Sequence, residues 1–320
     1  MEKKVFKRHG KGPLLTPDSL KLDVDAVFNP GVAEVDGEVV LLLRIEDRTG
    51  ISQIRVARSA NGIDKWQLAD HPLLDPDLPE NPFEEWGCED ARVTRVGERE
   101  WMIAYTAYSR YGPAVALAKT SDFDTVERIG VVLSPTNKDA AVFPRSFDGV
   151  NLLLHRPVTG GQEHIWFACS DEGYSHWSQP GILLAERGGP WWDGLRIGVG
   201  APPIETKDGW LLIYHGVKDM AGHPVYRLGL ALLDTGNPRK AIARASRWVF
   251  APEEEFEQRG LLPNVVYTCG ALVRGDDVWM YYGAADNMIG LALAKMSDLL
   301  RFVREHDYLQ HVGREKGMVA

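Results

Sequence analysis

Cysteine is scarce in this 320-residue sequence: Cys88, Cys169 and Cys269 stand alone, odd in number and without CxxC spacing. That argues against a disulfide framework or a zinc knuckle and fits a reducing cytoplasm. No run approaches the roughly 20 apolar residues of a membrane helix, and the basic start from Met1 to His9 lacks the apolar stretch of a secretory signal. Positive charge is also short: 36 Lys and Arg face 45 Asp and Glu, for a net charge of −9. A general nucleic-acid binder needs a basic face to displace counterions. No HExxH or similar ligand cluster points to a metal. Nucleic acid, membrane and metal are therefore not expected as partners, and homo-oligomerisation stays open.

Turn formers are plentiful, with 32 Gly and 19 Pro, which suits short strands and tight turns better than long helices. A hydrophobic fraction of 44% is enough to bury a core. Five segments, 27–45, 88–107, 139–157, 198–217 and 267–285, share one layout of strand, two-residue turn and apolar strand. The expected turns are Asp36-Gly37, Gly97-Glu98, Asp148-Gly149, Asp208-Gly209 and Gly275-Asp276. A third strand with alternating small and apolar residues follows each hairpin, at 53–59, 114–120, 164–170, 226–233 and 288–295, and a fourth, outer strand fits after it. Repeated sheet units of this size predict an all-β, five-bladed β-propeller, in which radial closure removes most sheet edges. The expected blades are approximately 26–72, 86–131, 138–185, 196–250 and 264–305, within one domain spanning residues 1–320. A β-sandwich or solenoid is the alternative.

In a propeller the first strand of each blade lies nearest the axis. Polar residues at its start meet those at the end of the second strand at one mouth of the channel. The first set is Asn29, Glu89, Asp90, Lys138, Asp139 and Arg196; the second is Arg44, Glu46, Asp47, Tyr105, His155, Arg156, His215, Tyr282 and Asp286. Carboxylates make general acid chemistry available. Gathering Arg44, Lys138, His155, Arg156, Arg196 and His215 in an acidic protein suits a small anionic or phosphate-bearing reactant, since Arg forks match phosphate. Salt bridges to Glu46, Asp47 and Asp139 would satisfy the same residues, and spacing alone does not choose.

The motif EWGCEDAR at 85–92 narrows this reading. Together with FNPG at 28–31, LRIEDRTGIS at 43–52, NKDAAVFP at 137–144, LHRP at 154–157, RIGVGAPPI at 196–204, LIYHGV at 212–217 and YYGAAD at 281–286, it resembles glycoside hydrolase family 130 over about residues 10–305. These are β-mannoside phosphorylases with some hydrolases. The resemblance implies a five-bladed propeller that uses inorganic phosphate as co-substrate and needs no cofactor. It implies inverting phosphorolysis of a β-1,2- or β-1,4-linked manno-oligosaccharide or mannosyl-glucose, giving α-mannose 1-phosphate. Asp90 falls on the general acid, whose proton is passed through a mannose hydroxyl. Asn29, Arg44, Lys138 and Asp286 fall on mannose contacts; Arg156, Arg196 and His215 fall on the phosphate region. The chain departs from the family at Ala91, where Pro is common, at Arg196, where Lys is frequent, and at Arg145, where an acid is frequent.

Two other functions compete. An inverting β-mannosidase needs a second carboxylate about 6.5–9.5 Å from the acid, and Glu205 is the one loose candidate, past the expected mouth. A non-catalytic carbohydrate-binding propeller would present its surface rather than an acid inside a cationic funnel. Trp191 and Trp192, in a glycine-rich loop, could stack on a sugar or pack against a neighbouring blade.

Overall fold

The computed structural model describes residues 4–76 and 79–309. Strands dominate, arranged as successive antiparallel meanders. The first runs Ala26–Val35, Glu38–Glu46, Ser52–Ser59 and Gln67–Leu74; the second Gly87–Gly97, Glu100–Ser109, Gly112–Thr120 and Glu127–Leu133. A single parallel bridge, Ser52 to Gly87, links these two. The third meander comprises Asn137–Val142, Asn151–Thr159, Ile165–Ser170 and Ser178–Leu184; the fourth Arg196–Val199, Gly209–Asp219, Pro224–Leu233 and Ala241–Arg244. The last has Val266–Arg274, Asp277–Ala284 and Met288–Lys295. Its outer strand comes from the other end of the chain, where Lys7–Arg8 pairs with Leu293 and Ala292. The sequence reading did not foresee this use of the basic start.

Why the second strands read as continuous apolar runs follows from the packing. Val40 and Leu42 face Trp101 and Ile103 of the second meander, whereas Leu41 and Leu43 face Tyr281 and Leu291 of the last. Likewise Met102 and Ala104 meet Val142 and Leu153, and Leu152 and Leu154 meet Trp210 and Leu212. Leu211 and Ile213 meet Val278 and Met280. Each sheet is thus buried on both faces, so period-2 alternation disappears from its middle strand. The first strands of the first four meanders touch in succession, the last meander's first strand lies against the first meander's, and the fourth meander reaches it through Pro224–Leu233. Among the described residues no helix is long and apolar enough to cross a membrane. The helix Met296–Glu305 buries Leu299, Leu300 and Val303 against the fourth and last meanders.

The turns at Asp36-Gly37, Asp148-Gly149 and Gly275-Asp276 stand where expected. The other two are displaced by one residue, to Glu98-Arg99 and Lys207-Asp208. A register shift between Arg95 and Gly97 accounts for the first. At the second, Gly209 belongs to the strand: its φ is +133°, and a Cβ there would overlap the Leu233 carbonyl.

One buried ion pair fastens the N-terminal strand. Arg8 donates from Nε and Nη2 to the two oxygens of Glu257 at 2.6 and 2.7 Å, and to the Ala251 carbonyl at 2.7 Å. Glu257 is fully buried and also accepts from the Tyr282 hydroxyl at 2.7 Å. Removing one partner of such a pair leaves an uncompensated buried charge. Arg8→Ala is expected to cost about 3 kcal/mol in urea unfolding; a loss under about 1 kcal/mol would show that this clasp does not secure the outer strand of the last meander.

Candidate active site

At Asn29, Asp90 and Asp139 the backbone turns left-handed, with φ of 46°, 52° and 55°. Strand pairing slips at the same three places, between Phe28 and Gly31, Glu89 and Arg92, and Lys138 and Ala141. These are matching bulges in the first strands of three consecutive meanders. Asn and Asp tolerate this conformation better than other side chains, and a bulge re-aims the residue it carries. All three side chains are buried at the same end of the molecule.

One half of the site is built around Asp90. Its carboxylate accepts from Asn29 Nδ2 at 2.9 Å and Arg44 Nη1 at 3.2 Å. Arg44 also reaches Glu89 at 3.0 Å, Glu46 at 3.1 Å and the Ser52 hydroxyl at 2.8 Å, with its guanidinium 4.5 Å over the Phe28 ring. Burial pushes the Asp90 carboxyl up, but Arg44, Lys138, Arg92 and the Asn29 hydrogen bond together hold it below its ordinary value. Asp286 behaves oppositely. Burial and the neighbouring Asp90 charge raise it to about 6, against the pull of Arg44 and Lys138.

The other half surrounds Asp139, which has no exposed surface. Arg156 Nε lies 2.5 Å and the Tyr267 hydroxyl 2.6 Å from it; His215 Nε2 is at 3.4 Å and Arg92 at 3.6 Å. Glu163 pairs with Arg156 and, at 3.5 Å, with Arg196, which also donates to the Tyr226 hydroxyl at 3.0 Å. Burial, helped by Arg156, Arg92 and Lys138, pushes His215 down to about 3 despite Asp139, so it is neutral at physiological pH. Arg92, Arg156 and Arg196 paired with Asp139 and Glu163, together with Lys138 acting on Asp139 from beyond contact, leave a surplus of two positive charges. Gly198 makes the crowding possible: a Cβ there would overlap both the Asp139 carboxylate and the His215 ring. Arg92 ties the halves together, donating to the carbonyls of Asp90 at 3.0 Å, Val199 at 2.7 Å and Gly200 at 2.8 Å.

The sequence-derived residues thus gather in two linked groups. Asn29, Arg44, Asp90 and Asp286 form one; Arg156, Arg196 and His215 form the other; half-buried Lys138 acts electrostatically on Asp90, Asp139 and Asp286. Several residues expected at the mouth lie elsewhere. Asp47 caps its own turn through Thr49 and Ile51, and Tyr105 is buried against Glu84. His155 is fully buried against Asn137 at 3.1 Å, with burial lowering it to about 4, as a core histidine. Trp192 stacks on Tyr214 and is buried, and Trp191 packs edge-on to Tyr308 beneath Arg187, so both have packing roles. Glu205 is exposed and bound to Arg145 at 2.9 Å. Glu163, Tyr226 and Tyr267 were missed. Tyr267 was findable, since it opens the last repeat's first strand; Glu163 lies in a short side hairpin with no signal of its own. Among the described residues no three His, Cys, Asp or Glu side chains gather to hold a metal ion.

The raised Asp286 has a consequence for stability. Between its ordinary value and about 6 the folded protein binds a proton that the unfolded chain releases, so this group weakens folding as pH rises through that window. Asp286→Asn should raise the melting temperature relative to the parent at pH 7.5 and leave it nearly unchanged at pH 4. An equal shift at both pH values would contradict the buried charge.

A family model described as beta-1,4-mannooligosaccharide phosphorylase, glycoside hydrolase family 130, matches residues 14–305. The chain is 36% identical over 308 residues to a 1,2-beta-oligomannan phosphorylase of Thermoanaerobacter sp. (strain X514), covering 92% of this chain and 98% of that protein. It is 32% identical to a beta-1,2-mannobiose phosphorylase of Listeria innocua serovar 6a, covering 92% and 97%. The solved structure of the Listeria innocua beta-1,2-mannobiose phosphorylase with beta-1,2-mannobiose superposes with a TM-score of 0.86 at 31% identity, covering 93% of this chain and 99% of that one.

Proposed function

The chain belongs to glycoside hydrolase family 130, and from that premise we propose that it is an inverting β-mannoside phosphorylase acting on β-1,2-linked manno-oligosaccharides. The meanders are then the five blades of one propeller domain closed around the site. The observation that carries the reading is the division of the site into an acid half and a cation half. The surplus of two positive charges around Asp139 suits a dianionic phosphate. Arg156, Arg196 and His215 hold it, and Asn29, Arg44, Lys138 and Asp286 hold the mannosyl unit. The relatives at 32 and 36% identity are a beta-1,2-mannobiose and a 1,2-beta-oligomannan phosphorylase, which favours that bond over the β-1,4 of the family description.

Asp90 is the general acid. Without ligand it is held ionised, chiefly by Arg44 against the effect of burial. Phosphate seated near Lys138 weakens one of the cations that hold it so, and favours the protonated carboxyl. That proton passes through a mannose hydroxyl to the leaving oxygen, while phosphate attacks the anomeric carbon from the opposite face. The C–O bond to the leaving sugar breaks as the new C–O bond to phosphate forms.

Hydrolysis by the same site would need a carboxylate free to activate water on the cation side. Asp139 and Glu163, the carboxylates there, are engaged by Arg156 and Arg196. Glu46 and Glu89 share Arg44 with Asp90.

Incubation with β-1,2-mannobiose should therefore give mannose 1-phosphate only when phosphate is present. Asp90→Asn should lose at least about 10²-fold in turnover with the melting temperature kept, and Arg156→Ala should raise the KM for phosphate. Release of free mannose at the same rate without phosphate would overturn the reading.

A further inference from the structure

We propose that the rim of the second meander binds the leaving-group end of a longer manno-oligosaccharide, beyond the sugar bonded to the scissile oxygen. This rests on the β-mannoside reading above. The loop ending at Trp86 runs directly into the strand that carries Asp90, and the hairpin tip Arg110-Tyr111 joins the next two strands. Pairing of Gly87 with Tyr108 and of Ser109 with Gly112 puts loop and tip at the same end of the sheet as Asp90. Between them lies a cavity of about 390 Å³, lined by Asn81, Pro82, Glu85, Arg110 and Tyr111 among others. That is within the usual range of small-ligand pockets.

The lining has the chemistry of sugar recognition. Within the lining Tyr111 is 59% exposed, and Trp86, on the loop just beyond Glu85 and outside the cavity wall, is 42% exposed, so neither serves the core. Each is propped by a second ring, Phe83 at 5.4 Å from Tyr111 and Tyr108 at 5.5 Å from Trp86, which fixes its face. Fixed aromatic faces stack against the C–H face of a pyranose. Arg110 grips Glu85 with two hydrogen bonds, one of 2.8 Å. Such a planar fork leaves donor and acceptor edges for hydroxyl groups. Direction decides the occupant. Asp90 serves the leaving oxygen, so the rest of the substrate leaves the mouth on that side. A comparable cavity beside Trp191, Met220 and Trp248 adjoins the fourth meander, which carries Arg196 and His215 of the cation half rather than Asp90.

The test is a length series. Binding of β-1,2-mannobiose, mannotriose and mannotetraose is measured by calorimetry on Asp90→Asn protein, where turnover is suppressed, with and without Tyr111→Ala. Expected is tighter binding of the tetraose than the biose by on the order of tenfold. Tyr111→Ala should abolish that difference and leave biose binding unchanged. In wild-type background, Tyr111→Ala should raise KM for the tetraose with kcat and mannobiose kinetics unaltered. Equal affinity for all lengths, or an equal loss for all lengths in the variant, would overturn the proposal. Length-dependent binding by a protein without phosphorolysis would instead refute the phosphorylase reading and leave the rim site standing.

Discussion

Asp139 has no exposed surface, and its ionised form persists because Arg156, the Tyr267 hydroxyl and Arg92 face it, with neutral His215 packed alongside. Burial alone would push this carboxyl up; Arg156 leads the charges that bring it far below the ordinary range. An isolated buried carboxylate costs several kcal/mol, and so does each unpaired arginine. The two signs therefore hold each other in place. Arg156 comes from the third meander, His215 from the fourth and Tyr267 from the last, so one anion fixes the side chains of three separate sheets. Arg92 extends the same constraint to the acid side by binding the Asp90 carbonyl.

That arrangement explains how a protein of net charge −9 can offer a cationic pocket. Asp139 and Glu163 neutralise part of the cluster and set its geometry, leaving a surplus for the incoming anion. Preorganisation of this kind lets charge be stabilised without rearrangement during reaction. On the opposite side, Arg44 is shared among three carboxylates, so its pull on Asp90 is moderated by Glu46 and Glu89. In the proposed reaction Asp90 thus sits between a moderated cation and the incoming phosphate.

Much of this was legible in the sequence because the repeat is physical: each apolar second strand is buried on both faces, and each turn recurs at the same offset. The polar residues FNP, CED and NKD stood out at matching positions against that apolar ground. What the sequence does not reveal is direction. Whether a side chain points to the axis depends on the bulges at Asn29, Asp90 and Asp139, and a bulge shifts the alternation by one. Tyr105 and His155, on second strands that carry no such bulge, turn into packed cores, while Glu163 enters the site from an unremarked hairpin. The pairing of Lys7–Arg8 with the last meander was equally hidden, since two residues carry no periodicity.

In the proposed reaction phosphate, held opposite Asp90, displaces the leaving sugar in a single step. Proton NMR of a fresh reaction with a β-mannoside and phosphate tests it most directly. α-Mannose 1-phosphate should appear as the first sugar phosphate. Initial formation of the β-anomer would contradict a one-step displacement from the cationic side.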